Sequence, residues 1–202
     1  MKTAVVACVV SLSFATVLAG VKTTSTWSAP EHTLRPYTKV IALAKVEEDQ
    51  NRRMVEDELV EAFGKHKVTA VPAYAHMKPE ELATPEAAKA KAEQLGVDAA
   101  LVVTVTERGT KVKPPSSVSV GVGVPVHVGM FSVFVGGSKP IGGGAPQSIP
   151  VFAMKAEFFE KGGPQPIWSA TYSVELASGV DDAAEDLARL VTKQLKKAKI
   201  IK

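Results

Sequence analysis

Few side chains in this chain stand at spacings that do chemistry. Glu157 and Glu175 fall on the two arms of an expected hairpin, and they are the nearest approach to the paired carboxylates an acid/base hydrolase needs. Arg52, Arg53, Glu56 and Asp57 stand at i,i+3 and i,i+4 on one expected helix, where opposite charges form a surface network without any catalytic role. His32, His66, His76 and His127 are isolated and lack the clustered spacing of metal ligands, so no metal site is expected. The single cysteine, Cys8, lies in the first twenty residues; a chain cleaved after them has no disulfide, thiolate nucleophile or cysteine-held metal. No Gly-x-Ser-x-Gly, Ser-x-x-Lys, His-Glu-x-x-His or Walker sequence occurs, and Gly121-Val122-Gly123 lacks the third glycine and following helix of a dinucleotide loop. No cofactor is expected. Trp27 and Trp168 are sugar-stacking candidates, but Trp168 sits in an alternating strand and is expected in the core.

The composition fits one ordinary globular domain: 202 residues, 46% apolar and 22% charged. With 24 Lys+Arg against 21 Asp+Glu the formal charge is +3, dispersed in alternating sign, which argues against nucleic-acid binding. Residues 1–20 read as an export signal. Lys2 supplies the positive start, Ala4 to Gly20 is uncharged and ends in small residues, and Val17 and Ala19 allow a cut between Ala19 and Gly20. The run is short for a membrane-spanning helix and is followed at once by polar residues. Residues 21–36, polar and bearing Pro30 and Pro36, read as an extended tether ahead of a domain at 37–202.

The elements that must position any site follow from periodicity. Residues 38–46 are a β-rich apolar run, expected as a central strand. Asp49 can cap a helix that aligns Val55, Leu59, Ala62 and Phe63, with Gly64 past its end. Residues 67–74 predict a strand closed by Pro72, and Thr84-Pro85-Glu86 opens a helix that Gly96 ends. Strands follow at 98–107, 151–160 and 165–176, the last two forming a hairpin that turns at 161–164. A final helix begins near Asp181-Asp182, with Glu185 in capping-box position, and aligns Val180, Ala184, Leu187, Val191, Leu195 and Ala198. Lys193, Lys196, Lys197 and Lys199 crowd its end, favoured there by the helix dipole and able to meet an anionic surface. The order β-α-β-α-β, insertion, β-β-α predicts a single α/β domain, bordering on α+β, with a mixed sheet.

The insertion, residues 114–150, is the unusual segment. Between Lys113 and Lys155 the only charged residue is Lys139, and eight of the 15 glycines lie there. Val118, Val120, Val122, Val124, Val126 and Val128 alternate with small or polar residues, a period of two that puts every valine on one face of a strand. Met130 to Val135, containing Phe131 and Val133, is the expected return strand, and 136–150 reads as a Gly/Pro-rich loop. These valines with Phe131 and Val133 form the candidate contact ribbon. It reads as a hairpin over a sheet edge, as a surface for a protein partner, or as an element long enough to cross a bilayer as a tilted strand.

Arg52-Arg53-x-x-Glu56-Asp57-x-Leu59-Val60, Ala70-Val71-Pro72-Ala73-Tyr74, residues 96–103 (GVDAALVV), Ile167-Trp168-Ser169-Ala170 and Ala198-Lys199-Ile200-Ile201 together resemble uncharacterised bacterial cell-envelope lipoproteins. The α/β order is more distantly similar to penicillin-binding-protein activator lipoproteins and to the curli secretion-channel lipoprotein. Leu18-Ala19-Gly20-Val21 resembles a lipobox with valine in place of the lipidated cysteine, so no thioether can form at Val21. The resemblance implies binding or assembly at the envelope rather than catalysis. The expectation is therefore a non-enzymatic exported protein, in the periplasm or at the periplasmic face of the outer membrane of a Gram-negative bacterium. Its expected partner is an envelope protein or peptidoglycan-associated component. An oligomeric membrane-associated pore or secretion component using residues 118–135 is the alternative, with homo-oligomerisation and membrane-surface contact; an envelope hydrolase is the third reading.

Overall fold

A computed structural model describes residues 20–29, 37–82, 85–113, 119–121, 124–128, 131–135, 138–140 and 147–202. Residues 1–19 of the expected export signal, with Cys8 and Ala19, and also Thr84, Val118 and Val122, lie outside these residues. A six-stranded mixed sheet organises the domain in the order β1-β10-β9-β4-β2-β3. Here β1 is Val21–Ser28, β2 Lys39–Lys45, β3 Thr69–Pro72, β4 Ala99–Lys113, β9 Gln147–Glu160 and β10 Pro166–Glu175. The chain is thus a single α/β domain.

The parallel half follows from helical crossovers. β2 leads into α1 (Asp49–Gly64) and returns as β3 parallel to it; α2 (Ala73–His76), a 3₁₀ turn at Pro79–Leu82 and α3 (Pro85–Gln94) then carry the chain to β4, parallel to β2 on its other side. α1 and α4 (Val180–Lys197) pack on one face of the sheet. Their buried stripes, Val55, Leu59, Ala62 and Phe63 on α1 with Ala184, Leu187, Val191 and Leu195 on α4, meet Leu101, Val103, Ala156, Phe158, Trp168 and Tyr172. Each fully buried large apolar side chain contributes about 1.5–3 kcal/mol. On the opposite face a smaller cluster of Ile41, Ala73, Met77 and Val97 lies under α2 and α3.

Several expectations need correction. Residues 21–28, read as tether, form the edge strand β1, paired antiparallel with β10 from Val21–Val174 to Ser28–Trp168. Val21 is 3% exposed, so its side chain belongs to the core and brings the polar strand behind it into the sheet. Ala73 and Tyr74 open α2 rather than ending a strand, because Pro72 cannot extend the ladder. Gln147–Pro150 belong to β9, not to the insertion, and β4 runs on to Lys113. Neither Asp49 nor Asp181-Asp182 caps a helix. Glu48 and Gly179 hold the N-cap positions without side-chain cap bonds, and the aspartates lie in the first turns, where the dipole favours them.

Helix ends show a shared device. At α3 the amides of Gly96 and Val97 return to the carbonyls of Glu93 and Ala92, with Gly96 at φ +64°. The same pair of bonds closes α1 at Lys67 and Val68, and α4 at Lys199 and Ile200, with a lysine in the left-handed position each time, at φ 60° and 59°. A side chain there costs about 1–2 kcal/mol relative to right-handed backbone. Lys67→Gly and Lys199→Gly are each expected to raise unfolding free energy by about 0.5–1 kcal/mol. Urea unfolding at unchanged m-value measures this, and a loss of stability would contradict it.

Candidate functional site

The site begins where β4 and β9 outrun the rest of the sheet. β2 pairs with β4 only as far as Thr104, and β10 pairs with β9 only as far as Val151, yet β4 and β9 continue together to Lys113 and Gln147. Beyond them the same two arms pair again. β5 (Ser119–Gly121) meets β8 (Ser138–Pro140), and β6 (Val124–Val128) meets β7 (Phe131–Val135). From Ser119–Pro140 to Val124–Val135 each arm advances five residues, and to Val128–Phe131 four more, so the described pairs keep one register. The expected ribbon and its return strand pair antiparallel, as far as Val128 opposite Phe131. Of the candidate residues, Val120, Val124, Val126, Val128, Phe131 and Val133 lie on these strands. The part expected as an unstructured loop at 138–140 is the partner strand of 119–121.

Two ion pairs brace the base of this hairpin. Lys111 Nζ lies 2.8 Å from Glu175 Oε1, and Arg108 bonds Glu47 at 2.9 Å while lying 6.0 Å over the Phe152 ring. The Lys111 hydrogen bond holds the Glu175 carboxyl below its usual range. Beneath Arg108 an apolar cleft of about 120 Å³ opens between the first turns of α1 and α4 and the sheet, walled by Val46, Val55, Val105, Phe152, Leu176 and Leu187. A second, larger hollow of about 500 Å³ lies on the other face, between α3 and the β9–β10 turn.

The chain enters the fold at this same end. The carbonyl of Gly20, the residue after the expected cleavage point, accepts the Glu175 amide at 2.6 Å. Glu175 pairs with Val151 and Val151 with Gly109, so the entry point and the hairpin base share one row across the sheet. At about 4.8 Å per strand that row spans roughly 14 Å. Gly20 has φ +132°, and a Cβ there would stand 3.3 Å from the Glu175 carbonyl, so a side chain at this junction would be strained and glycine is favoured.

The other chemistry-bearing residues are dispersed. Glu157 pairs with Ser169, six positions along β10 from Glu175, which separates the two carboxylates by about 20 Å, beyond acid/base partnership. Each carboxylate has a lysine partner, Lys155 at 2.6 Å from Glu157 and Lys111 on Glu175. Trp168 is 1% exposed in the core and Trp27 is 50% exposed on the sheet edge. Among the described residues no group of three His, Cys, Asp and Glu side chains is placed to hold a metal.

One expectation changes in kind. Glu56, read as part of a surface network, is fully buried. Its Oε1 accepts the Ala44 amide and Arg52 Nε, each at 3.0 Å, and its Oε2 accepts the Tyr74 amide at 2.7 Å. One carboxylate thus joins α1 to the end of β2 and the start of α2. Arg53 lies 5.4 Å over the Tyr74 ring, whose hydroxyl donates to Asp57 at 2.8 Å. The signal was present in the spacing: Glu56, Leu59 and Phe63 follow i, i+3, i+7, which puts the acid in the apolar stripe.

No protein-family model matches the chain, and no curated protein does. Among solved structures it is similar to the PelC dodecamer from Paraburkholderia phytofirmans, at 14% identity and TM-score 0.49, over 87% of this chain and 96% of that one. It is also similar to lipoprotein GNA1162 from Neisseria meningitidis, at 13% identity and TM-score 0.42, over 79% of this chain and 99% of that one. At these values function rests on the chain's own residues.

Two measurements test the framework around the hairpin. Glu56→Ala orphans two backbone amides and the partly buried Arg52, and is expected to cost about 3–5 kcal/mol in chemical unfolding; a loss below 1 kcal/mol would reduce the contact to ornament. Because the Glu175 carboxyl titrates below its unfolded value, its contribution is full above the ordinary carboxylate pKa and disappears as pH falls through the depressed one. In Lys111→Met the Glu175 titration followed by carboxyl NMR is expected to move up, and the acid limb of thermal stability with it.

Proposed function

We propose that this chain is a non-enzymatic, exported cell-envelope protein whose packed α/β domain presents the long hairpin to another envelope component, at the periplasm or the periplasmic face of the outer membrane. The observation that carries the reading is the hairpin itself. A domain with a complete core extends two of its central strands beyond every neighbour into arms that pair with each other, in a stretch whose only charge between Lys113 and Lys155 is Lys139. Apolar, uncharged, extended backbone serves burial against something else. The catalytic alternative loses its nearest candidates, since Glu157 and Glu175 lie far apart and each faces a lysine.

One observation favours a second reading, an oligomeric membrane-associated component. Each arm from 119–128 and 131–140 covers ten positions, the length of a tilted strand across a bilayer, and the chain enters the domain in the row where the hairpin leaves it. A protein held or delivered at a membrane through its first residues would then face that membrane with the hairpin.

Replacing residues 118–144 by a short Gly-Ser turn separates the readings. The domain is expected to keep its thermal midpoint within a few degrees, because the core residues described under and between the helices and the six-stranded sheet all lie outside the replaced segment. Crosslinking in a double-membrane bacterium is expected to lose the partners seen with the full chain. Unchanged partners would remove the hairpin from the function. Recovery of the full chain, but not the deletion, as a detergent-requiring oligomer would favour the second reading.

A further inference from the structure

The two free edges of the hairpin are not equivalent, and proline makes the difference. In an antiparallel ladder, opposed residues alternate between pairs that exchange both N–H···O=C bonds and pairs whose backbone groups point away from each other. A proline has no N–H and can take only the second kind of position. Pro125 opposes Phe134, and Pro140 opposes Ser119. Positions 119 and 125 are six apart, an even number, so both prolines fit the same alternation. Residues 125 and 127 of β6, and 132 and 134 of β7, therefore direct their backbone groups outward.

This leaves β6 with a blocked edge, since Pro125 removes one of its two outward donors. On the other arm Pro140 guards β8, and Pro150, which opposes Thr110 with its carbonyl already taken by the Leu176 amide, guards β9. Between these guards β7 keeps both outward donors, Ser132 and Phe134, and neither β6 nor β7 carries a formal charge. A two-stranded ribbon is marginal alone, and an uncharged, unguarded edge is a template for another strand.

We propose that β7 pairs antiparallel with β7 of a second copy of this chain about a two-fold axis through Val133. The inference rests on the reading of the hairpin as an interaction element and names its partner along this edge. The register follows from the outward donors. Ser132 of each copy exchanges both backbone bonds with Phe134 of the other, Val133 faces its own counterpart in the intervening non-bonded pair, and Phe131 opposes Val135. The patch is self-complementary, as a two-fold interface requires, and no like charges meet across it. The result is a four-stranded sheet with the β6 edges outermost and each blocked by its proline. A ring of hairpins joined β7 to β6 is disfavoured by the same residue.

Val133→Cys tests the register directly. Opposed non-bonded residues have Cα atoms about 4.5 Å apart, inside disulfide range. The full chain with Cys8→Ser, in mild nonionic detergent, is oxidised and sized by non-reducing electrophoresis and light scattering. Val133→Cys is expected to give a covalent dimer at least tenfold faster than His127→Cys, which sits on the blocked edge. Phe134→Pro, introduced beside Val133→Cys, is expected to abolish that advantage while the domain's melting temperature stays constant. Equal rates at the two positions, or faster crosslinking at His127→Cys, would overturn the proposal. A strictly monomeric chain that still captures envelope partners through the hairpin would overturn it too, while leaving the proposed function standing. A monomer that captures nothing would remove both.

Discussion

Everything distinctive about this molecule hangs on the pairing of β4 with β9. These strands meet from Ala99 and Glu160 at one end of the domain to Lys113 and Gln147 beyond the other, and β4 is also where the sheet changes from parallel to antiparallel. On its β2 side β4 completes a helical crossover layer; on its β9 side it starts an antiparallel series ending at β1. Side chains of one face, Leu101, Val103, Met154, Ala156 and Phe158, are locked under α1 and α4. The extension of β4 and β9 to Lys113 and Gln147 is therefore a continuation of a ladder whose other end is buried.

The irregularity between Val105 and Glu107 lies where this ladder leaves the shelter of its neighbours. An extra residue there turns the strand and strengthens its twist. It brings Arg108 onto the face of the cleft, where Phe152 and Glu47 receive it, while Lys111 reaches Glu175. Glu56 performs a related task inside the domain. Its carboxylate satisfies amides at the end of β2 and the start of α2, backbone groups that would otherwise be buried without partners. Both devices join elements that hydrophobic packing alone would leave free to slide.

Local pattern made much of this legible. The alternation of Trp168, Ala170, Tyr172 and Val174 marks a strand with one buried face, and the core places all four there. Val55, Leu59 and Phe63 mark the stripe of α1, and the valine alternation with Met130 to Val135 marks a ribbon with a return strand. β1 was not legible, because polar residues 22–26 give no apolar period; the strand exists because β10 offers an edge and Val21 a core anchor. The burial of Glu56 was present in spacing but masked by its charge, which reads as surface until amide donors are known to surround it.

Residues a few positions apart are enough to mark the strands and helices whose period matches one buried face, the nearly uncharged stretch between Lys113 and Lys155, and the turn chemistry around residues 161–164. The packed fold alone reveals that Glu157 and Glu175 stand apart, that Gly20 lies in one row with the base of the β4–β9 extension, and that Pro125 opposes Phe134 and Pro140 opposes Ser119. Those facts depend on which strands pair and in what register, and pairing joins residues as distant as Val21 and Val174, beyond the reach of local preference.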